Sequence, residues 1–149
     1  MRARPPISAE TLPTLDCGPN PTAGQTPSSA LISDGATVPI VIHSPFESNR
    51  ELSIKALIDT GSDLTFIDET LIRDWQLLVV DHVRLGTPGS QFWCDLFLVE
   101  FEISALSIRE FISVASKNLG GRDALIGRAQ LRDCVLVYDG PQGTVQLRK

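Results

Sequence analysis

From Leu31 to the C-terminus, turn-forming residues cut the sequence into short β-branched and apolar runs, a spacing that suits strands and leaves little room for helix. Residues Ala36 to His43 predict a strand, and Pro39 places it at an edge or a bulge. Glu51 to Ile58 alternates and then becomes wholly apolar at Ala56-Leu57-Ile58, as a strand does on entering a core. Asp68 to Trp75 predicts a helix capped by Asp68, with Leu71, Ile72 and Trp75 on one face. Leu77 to Leu85 and Gln91 to Ile103 predict two strands around the turn Gly86-Thr87-Pro88-Gly89-Ser90. Ile108 to Ala115 predicts a further strand, and Arg128 to Asp133 a second short helix. A hairpin of residues 135–138 and 144–147 closes the chain. The fold class is all-β, with one or two short helices and no internal repeat.

Residues 1–30 have a different composition. Six of the ten prolines fall there, among Ser, Thr, Asn and Gly, with almost no apolar run. Such a stretch predicts a flexible Pro-rich arm, either a solvated tail or a pro-segment, ahead of one domain over residues 31–149. A chain of 149 residues with 42% hydrophobic content has material for one core. The formal net charge of -5 argues against a nucleic-acid partner, whose phosphates call for a basic surface. No apolar run is long enough for a membrane-spanning helix, and no apolar segment follows the basic N-terminal residues as a secretory signal requires. Cys17, Cys94 and Cys134 make neither a disulfide framework nor a zinc set, and His43 and His82 stand alone. No metal, cofactor or membrane partner is expected. The sparse, unpaired cysteines suggest a reducing compartment, hence a cytoplasmic location.

The stretch richest in chemistry is Ala56-Leu57-Ile58-Asp59-Thr60-Gly61-Ser62-Asp63. A carboxylate directly after a buried strand is fixed in position, and Gly61 permits a tight turn with exposed N–H groups. Those groups and the Ser62 hydroxyl can donate to Asp59, which readies an aspartate for acid–base work. The same residue types are also ordinary turn formers. Far downstream comes Ala124-Leu125-Ile126-Gly127-Arg128. Here Gly127 would let a buried strand pass close behind the Asp59 turn, and Arg128 could reach a carboxylate such as Asp63.

In that order, Leu57 to Asp63, a glycine-containing hairpin and Leu125-Ile126-Gly127-Arg128 resemble the retroviral-type (retropepsin-like) aspartic protease family over about residues 35–149. The closing strand Val135 to Tyr138, the turn after it and the strand that follows resemble the cellular, particularly bacterial, branch. The resemblance implies a single-lobe acid-protease barrel that acts as a homodimer. A chain with one Asp-Thr-Gly then needs a second copy of itself to bring two aspartates together, and the substrate is a peptide or protein. By that likeness, Asp59 of each copy is catalytic, Thr60 locks the pair across the twofold axis, and Gly61 belongs to the same motif. Backbone at Gly61 and the Asp63 side chain hold the substrate main chain. Ile126, Gly127 and Arg128 support the site, with Arg128 paired to Asp63. The hairpin residues Gly86, Thr87, Pro88 and Gly89 correspond to the flap that closes over substrate. Two departures from the viral pattern stand out. Pro88 interrupts a tip that is glycine-rich in viral members, and Ser62 replaces their usual alanine. A serine there could donate to the aspartate pair and move the working pH downward.

Two other functions compete with a peptidase. An apolar strand followed by Asp-Thr-Gly-Ser also resembles the phosphate loop of actin and the sugar kinases, but that fold needs two lobes and far more chain. A catalytically silent peptide-binding or scaffold dimer would keep the fold, and would then have to account for an intact Asp-Thr-Gly.

Overall fold

The computed structural model describes residues 12–149. In chain order the elements are β1 (Thr14–Asp16), α1 (Pro27–Asp34), β2 (Thr37–His43), β3 (Glu51–Ile58), β4 (Phe66–Asp68), α2 (Glu69–Ile72), β5 (Val79–Thr87), β6 (Ser90–Ile103), β7 (Ile108–Lys117), β8 (Ala124–Ile126), α3 (Arg128–Leu131), β9 (Val135–Asp139) and β10 (Thr144–Arg148). Seven strands form one sheet in the order β2-β3-β8-β4-β7-β6-β5. Strand β2 also pairs with β6 through Val41–His43, which curls the sheet into a partly closed barrel. The remaining three strands make a small sheet, β1-β10-β9.

Alternation in the sequence sets which face is inside. Val38, Ile40 and Ile42 of β2 are buried, whereas Pro39 lies ahead of the β2–β6 contact, where β2 has a single neighbour. Strand β6 does not keep a single inner face, and neither does its neighbour β7. Its odd-numbered Val99, Phe101 and Ile103 enter the main core, while the even-numbered Cys94 and Leu96 are buried in a second cluster with Ala115 of β7. The β6–β7 register runs without a shift throughout, so the switch in parity means that opposite faces of one strand are covered along its length. A strand of 14 residues extends about 46 Å, far more than one small core can cover.

The flexible arm expected over residues 1–30 is not what residues 12–30 form; residues 1–11 lie outside the described part. Strand β1 pairs with β10. The Cys17 N–H donates to the Val145 carbonyl at 2.8 Å, and the Cys17 carbonyl accepts from the Thr37 N–H at 3.0 Å. Helix α1 starts with a reciprocal capping box between Thr26 and Ser29, has Pro27 in its first turn, and buries Ala30 and Leu31. Composition misleads here because a few apolar side chains are enough when the rest of the domain supplies the surface they cover. Burial, with the adjacent Asp16 charge, pushes the Cys17 thiol up to about 11.

The expected helix over Asp68–Trp75 is also shorter. Residues 66–68 continue as β4 between β7 and β8, and α2 is one turn long, with the Asp68 carboxylate accepting from the Thr70 N–H at 3.0 Å. The Thr70 hydroxyl, the Leu119 N–H and the Thr70 N–H, in that order, hold the Asp68 carboxyl below the ordinary range. A depressed carboxyl stabilises the fold above its unfolded value, and that contribution disappears as pH falls through the folded one. Asp68→Ala is therefore expected to lower Tm at neutral pH, with the gap to wild type narrowing steadily below about pH 4. Thermal melts across pH 2.5–7 check this; a gap independent of pH would contradict it.

Candidate active site

Strand β3 delivers Asp59 to the site. Its parallel ladder with β8 pairs Ala56 with Ala124, Leu57 with Leu125 and Ile58 with Ile126. The Asp59 N–H continues the ladder by donating to the Ile126 carbonyl at 3.0 Å. The chain then turns. The Ser62 N–H donates to the Asp59 carbonyl at 3.1 Å, and the Gly61 N–H donates to the Asp59 carboxylate at 3.0 Å. Asp59 is half-buried, and Thr60 and Gly61 beside it are exposed.

The turn is held from behind by the start of α3. The Arg128 N–H donates to the Ser62 carbonyl at 2.9 Å, and the Ala129 N–H to the Asp63 carbonyl at 3.2 Å. These carbonyls satisfy helix-start donors that have no partner within the helix. The Arg128 guanidinium spans the turn, donating to the Thr60 carbonyl at 2.7 Å and to the Asp63 carboxylate. Both side chains of that ion pair are more than half exposed, so it fixes geometry more than it adds stability. Gly127 is required by space. A Cβ there would lie 2.3 Å from the Leu64 carbonyl oxygen and 2.6 Å from its carbon.

The Ser62 hydroxyl does not donate to Asp59. It donates to the Leu64 carbonyl at 2.7 Å and so stiffens the exit from the turn. This corrects the expectation that Ser62 feeds the catalytic carboxylate: its backbone closes the turn, and the carbonyl two residues on is the acceptor within its reach.

Thr65 and Gln130 belong to the same structure and were not singled out from the sequence. The fully buried Thr65 hydroxyl accepts from the Gly127 N–H at 3.2 Å and donates to the Gln130 side-chain oxygen at 2.5 Å. Thr65→Val removes this centre and leaves two buried polar groups unpaired, which is expected to cost about 2 kcal/mol. Urea unfolding measures the loss; a change below about 0.5 kcal/mol would contradict it.

Asp59, Thr60, Gly61, Ser62, Asp63, Ile126, Gly127 and Arg128 thus come together as one unit. Gly86, Thr87, Pro88 and Gly89 stand apart from it, at the tip of the β5–β6 hairpin, where Thr87 pairs with Ser90 across Pro88-Gly89. Gly89 has φ +94°, which glycine at the third position of a Pro-Gly turn supplies without strain. The hairpin nevertheless connects with the Asp59 loop through side chains. Leu64 and Phe66, just beyond the turn, cover the same small cluster as Val83, Leu85 and Phe92 of the hairpin. Trp93 lies on the other face, exposed and stacked on His82 with ring centroids 5.0 Å apart.

A single-lobe, mostly β chain with an aspartate turn at the end of a strand that pairs in parallel with β8 has the architecture of a retropepsin-like fold, and a solved structure bears this out. A retropepsin-like aspartic protease from Rickettsia conorii matches 90% of this chain and 89% of its own, with a TM-score of 0.55 and 14% sequence identity. The Simian Foamy Virus (mac) protease matches 64% of this chain and 91% of its own, with a TM-score of 0.46 and 14% identity. No family model and no curated protein matches the sequence.

Proposed function

We infer that this chain is an aspartic endopeptidase whose active site is completed by a second copy of itself. The observation that carries this reading is the Asp59 turn. Its carboxylate is half-buried at a strand end, fixed by the Gly61 N–H, and braced through Gly127 and Arg128 inside a retropepsin-like fold. Only one such turn is encoded, so the pair requires two chains related by a twofold axis.

Two facing carboxylates of like charge hold one proton between them. The ionised Asp59 takes a proton from a bound water, whose oxygen attacks the scissile carbonyl carbon. The protonated Asp59 of the other copy gives its proton to the carbonyl oxygen, forming a neutral diol. Return of a proton to the amide nitrogen lets the C–N bond break, releasing an acid and an amine. Thr60, exposed beside Asp59, is the residue we assign to the contact between the two turns, and the β5–β6 hairpin serves as the flap that covers the peptide.

The test is cleavage of a peptide library by wild type and by Asp59→Asn, with a pepstatin-type inhibitor as a control. Activity that survives the substitution rejects the mechanism. No cleavage by wild type under any condition favours a silent peptide-binding dimer with the same fold.

A further inference from the structure

The strand that leads to Asp59 has two unlike faces. Ile54 and Ala56 of β3 are buried in the core, while Lys55, Leu57 and Asp59 alternate onto the opposite face. Neighbouring strands extend that outer face, because Leu57 pairs with Leu125 of β8 on one side and with Thr37 of β2 on the other. Moving away from Asp59, the surface is first apolar at the half-buried Leu57 and Leu125 and then charged at the exposed Lys55. There it opens into a cleft of about 200 Å³ lined by Thr37, Lys55, Leu57, Gly121, Arg122 and Asp123. The pair Gly120-Gly121 precedes Arg122 and puts no side chain over the opening.

Lys55 and Arg122 are exposed, and among the described residues neither forms an ion pair. By contrast, Arg50, Arg109, Arg128 and Arg132 are each held by a carboxylate. Asp123 lines the same cleft and offsets one of its two positive charges, yet it pairs with neither cation. The cleft thus keeps a net positive charge in a chain whose formal net charge is -5.

We propose that this cleft is a substrate subsite for a carboxylate side chain, so that the peptides cleaved carry Asp or Glu at the third residue from the scissile bond. This rests on the peptidase reading of the Asp59 site and names its substrate class. The spacing supports it. Alternate side chains of an extended peptide recur on one face about every 6.8 Å, as do those of Lys55, Leu57 and Asp59 along β3. With the scissile bond over Asp59, the residue beside the bond meets Leu57 and Leu125, and the third residue meets Lys55 and Arg122. Charge selects the occupant, since a substrate carboxylate supplies the balance that Asp123 leaves incomplete. In a twofold dimer the cleft recurs on each side of the bond.

The test uses the full chain and three labelled peptides with an apolar pair at the scissile bond and Glu, Gln or Lys third from it on both sides. In 0.1 M NaCl, kcat/KM is expected to favour the Glu peptide over the Lys peptide by about 30-fold. At 1 M NaCl, where the screening length is about 3 Å, the ratio is expected to shrink to about 3-fold. Lys55→Glu/Arg122→Glu is expected to invert the preference, whereas Arg73→Glu, an exposed arginine outside the cleft, is expected to keep it. An active wild type that cleaves the Glu and Lys peptides alike keeps the peptidase and overturns the subsite. A Glu preference that survives in the folded double variant overturns it too. If the double variant does not fold, a preference indifferent to salt overturns it instead. A wild type that cleaves none of the three rejects the peptidase, and fluorescence anisotropy of the same peptides then decides the subsite. Tighter binding of the Glu peptide, lost at 1 M NaCl, keeps the subsite; equal binding or none overturns it.

Discussion

Asp59→Asn is expected to lower kcat by about 10⁴-fold while changing neither Tm nor oligomeric state. The magnitude follows from the number of roles removed. In a dimer one substitution deletes both members of the pair, so general base and general acid are lost together, each contributing about 10²–10⁴-fold. The fold is spared because the native contact needs only an acceptor. The Gly61 N–H donates to one Asp59 side-chain oxygen at 3.0 Å, and an asparagine carbonyl can accept the same bond. Single-turnover cleavage beside a thermal melt checks both halves. A variant that keeps wild-type cleavage removes Asp59 from the chemistry, and a variant that unfolds shows the carboxylate to be structural.

Gly127→Ala is expected to destabilise the domain by about 4 kcal/mol or more, with loss of any activity that depends on the turn. The backbone angles are not the cause, since Gly127 has φ -91° and ψ 176°, ordinary extended values. The cause is space. An added methyl would meet the Leu64 carbonyl oxygen at 2.3 Å, its carbon at 2.6 Å and the Leu64 nitrogen at 2.9 Å. Backbone cannot rotate aside as a side chain can. Relief requires separating β8 from the Asp59 loop, and that breaks the Gly127–Thr65 bond and the Arg128 and Ala129 bonds to the turn. Large losses of this kind arise from forced overlap together with broken buried polar contacts. Chemical denaturation gives the measurement; a loss under 1 kcal/mol would mean that Leu64 moves freely.

The features legible in the sequence were those with local causes. Glu51–Ile58 was read to the residue because its alternation and its apolar end are intrinsic to the segment. The hairpin at Pro88-Gly89 was legible from turn chemistry. That Arg128 could reach a carboxylate such as Asp63 was legible from charge, and the family resemblance singled out the pair. Contacts determined only by tertiary position were not legible. Thr65 looks like any β-branched strand residue and Gln130 like a solvated helix residue, so nothing local marks them as partners. The sequence offers the Ser62 hydroxyl two neighbouring acceptors, and only the path of the turn selects the Leu64 carbonyl over the Asp59 carboxylate. Residues 12–30 were misjudged for the same reason, because Leu15 and Cys17 gain their value from a surface that other segments build.

The change of buried face along β6 has a mechanical consequence. The half of the strand from Val99 to Ile103 is clamped inside the barrel, while Cys94 and Leu96 in the other half bury their side chains in the small outer cluster. Strand β6 is therefore a cantilever: fixed at one end by the main core and supported near the middle by the outer cluster. Its free end, the Pro88-Gly89 tip, can deflect by loosening that support alone. Movement of the hairpin is thereby uncoupled from the stability of the barrel; in the proposed peptidase this leaves the domain rigid where the carboxylate is held and compliant where a peptide would enter.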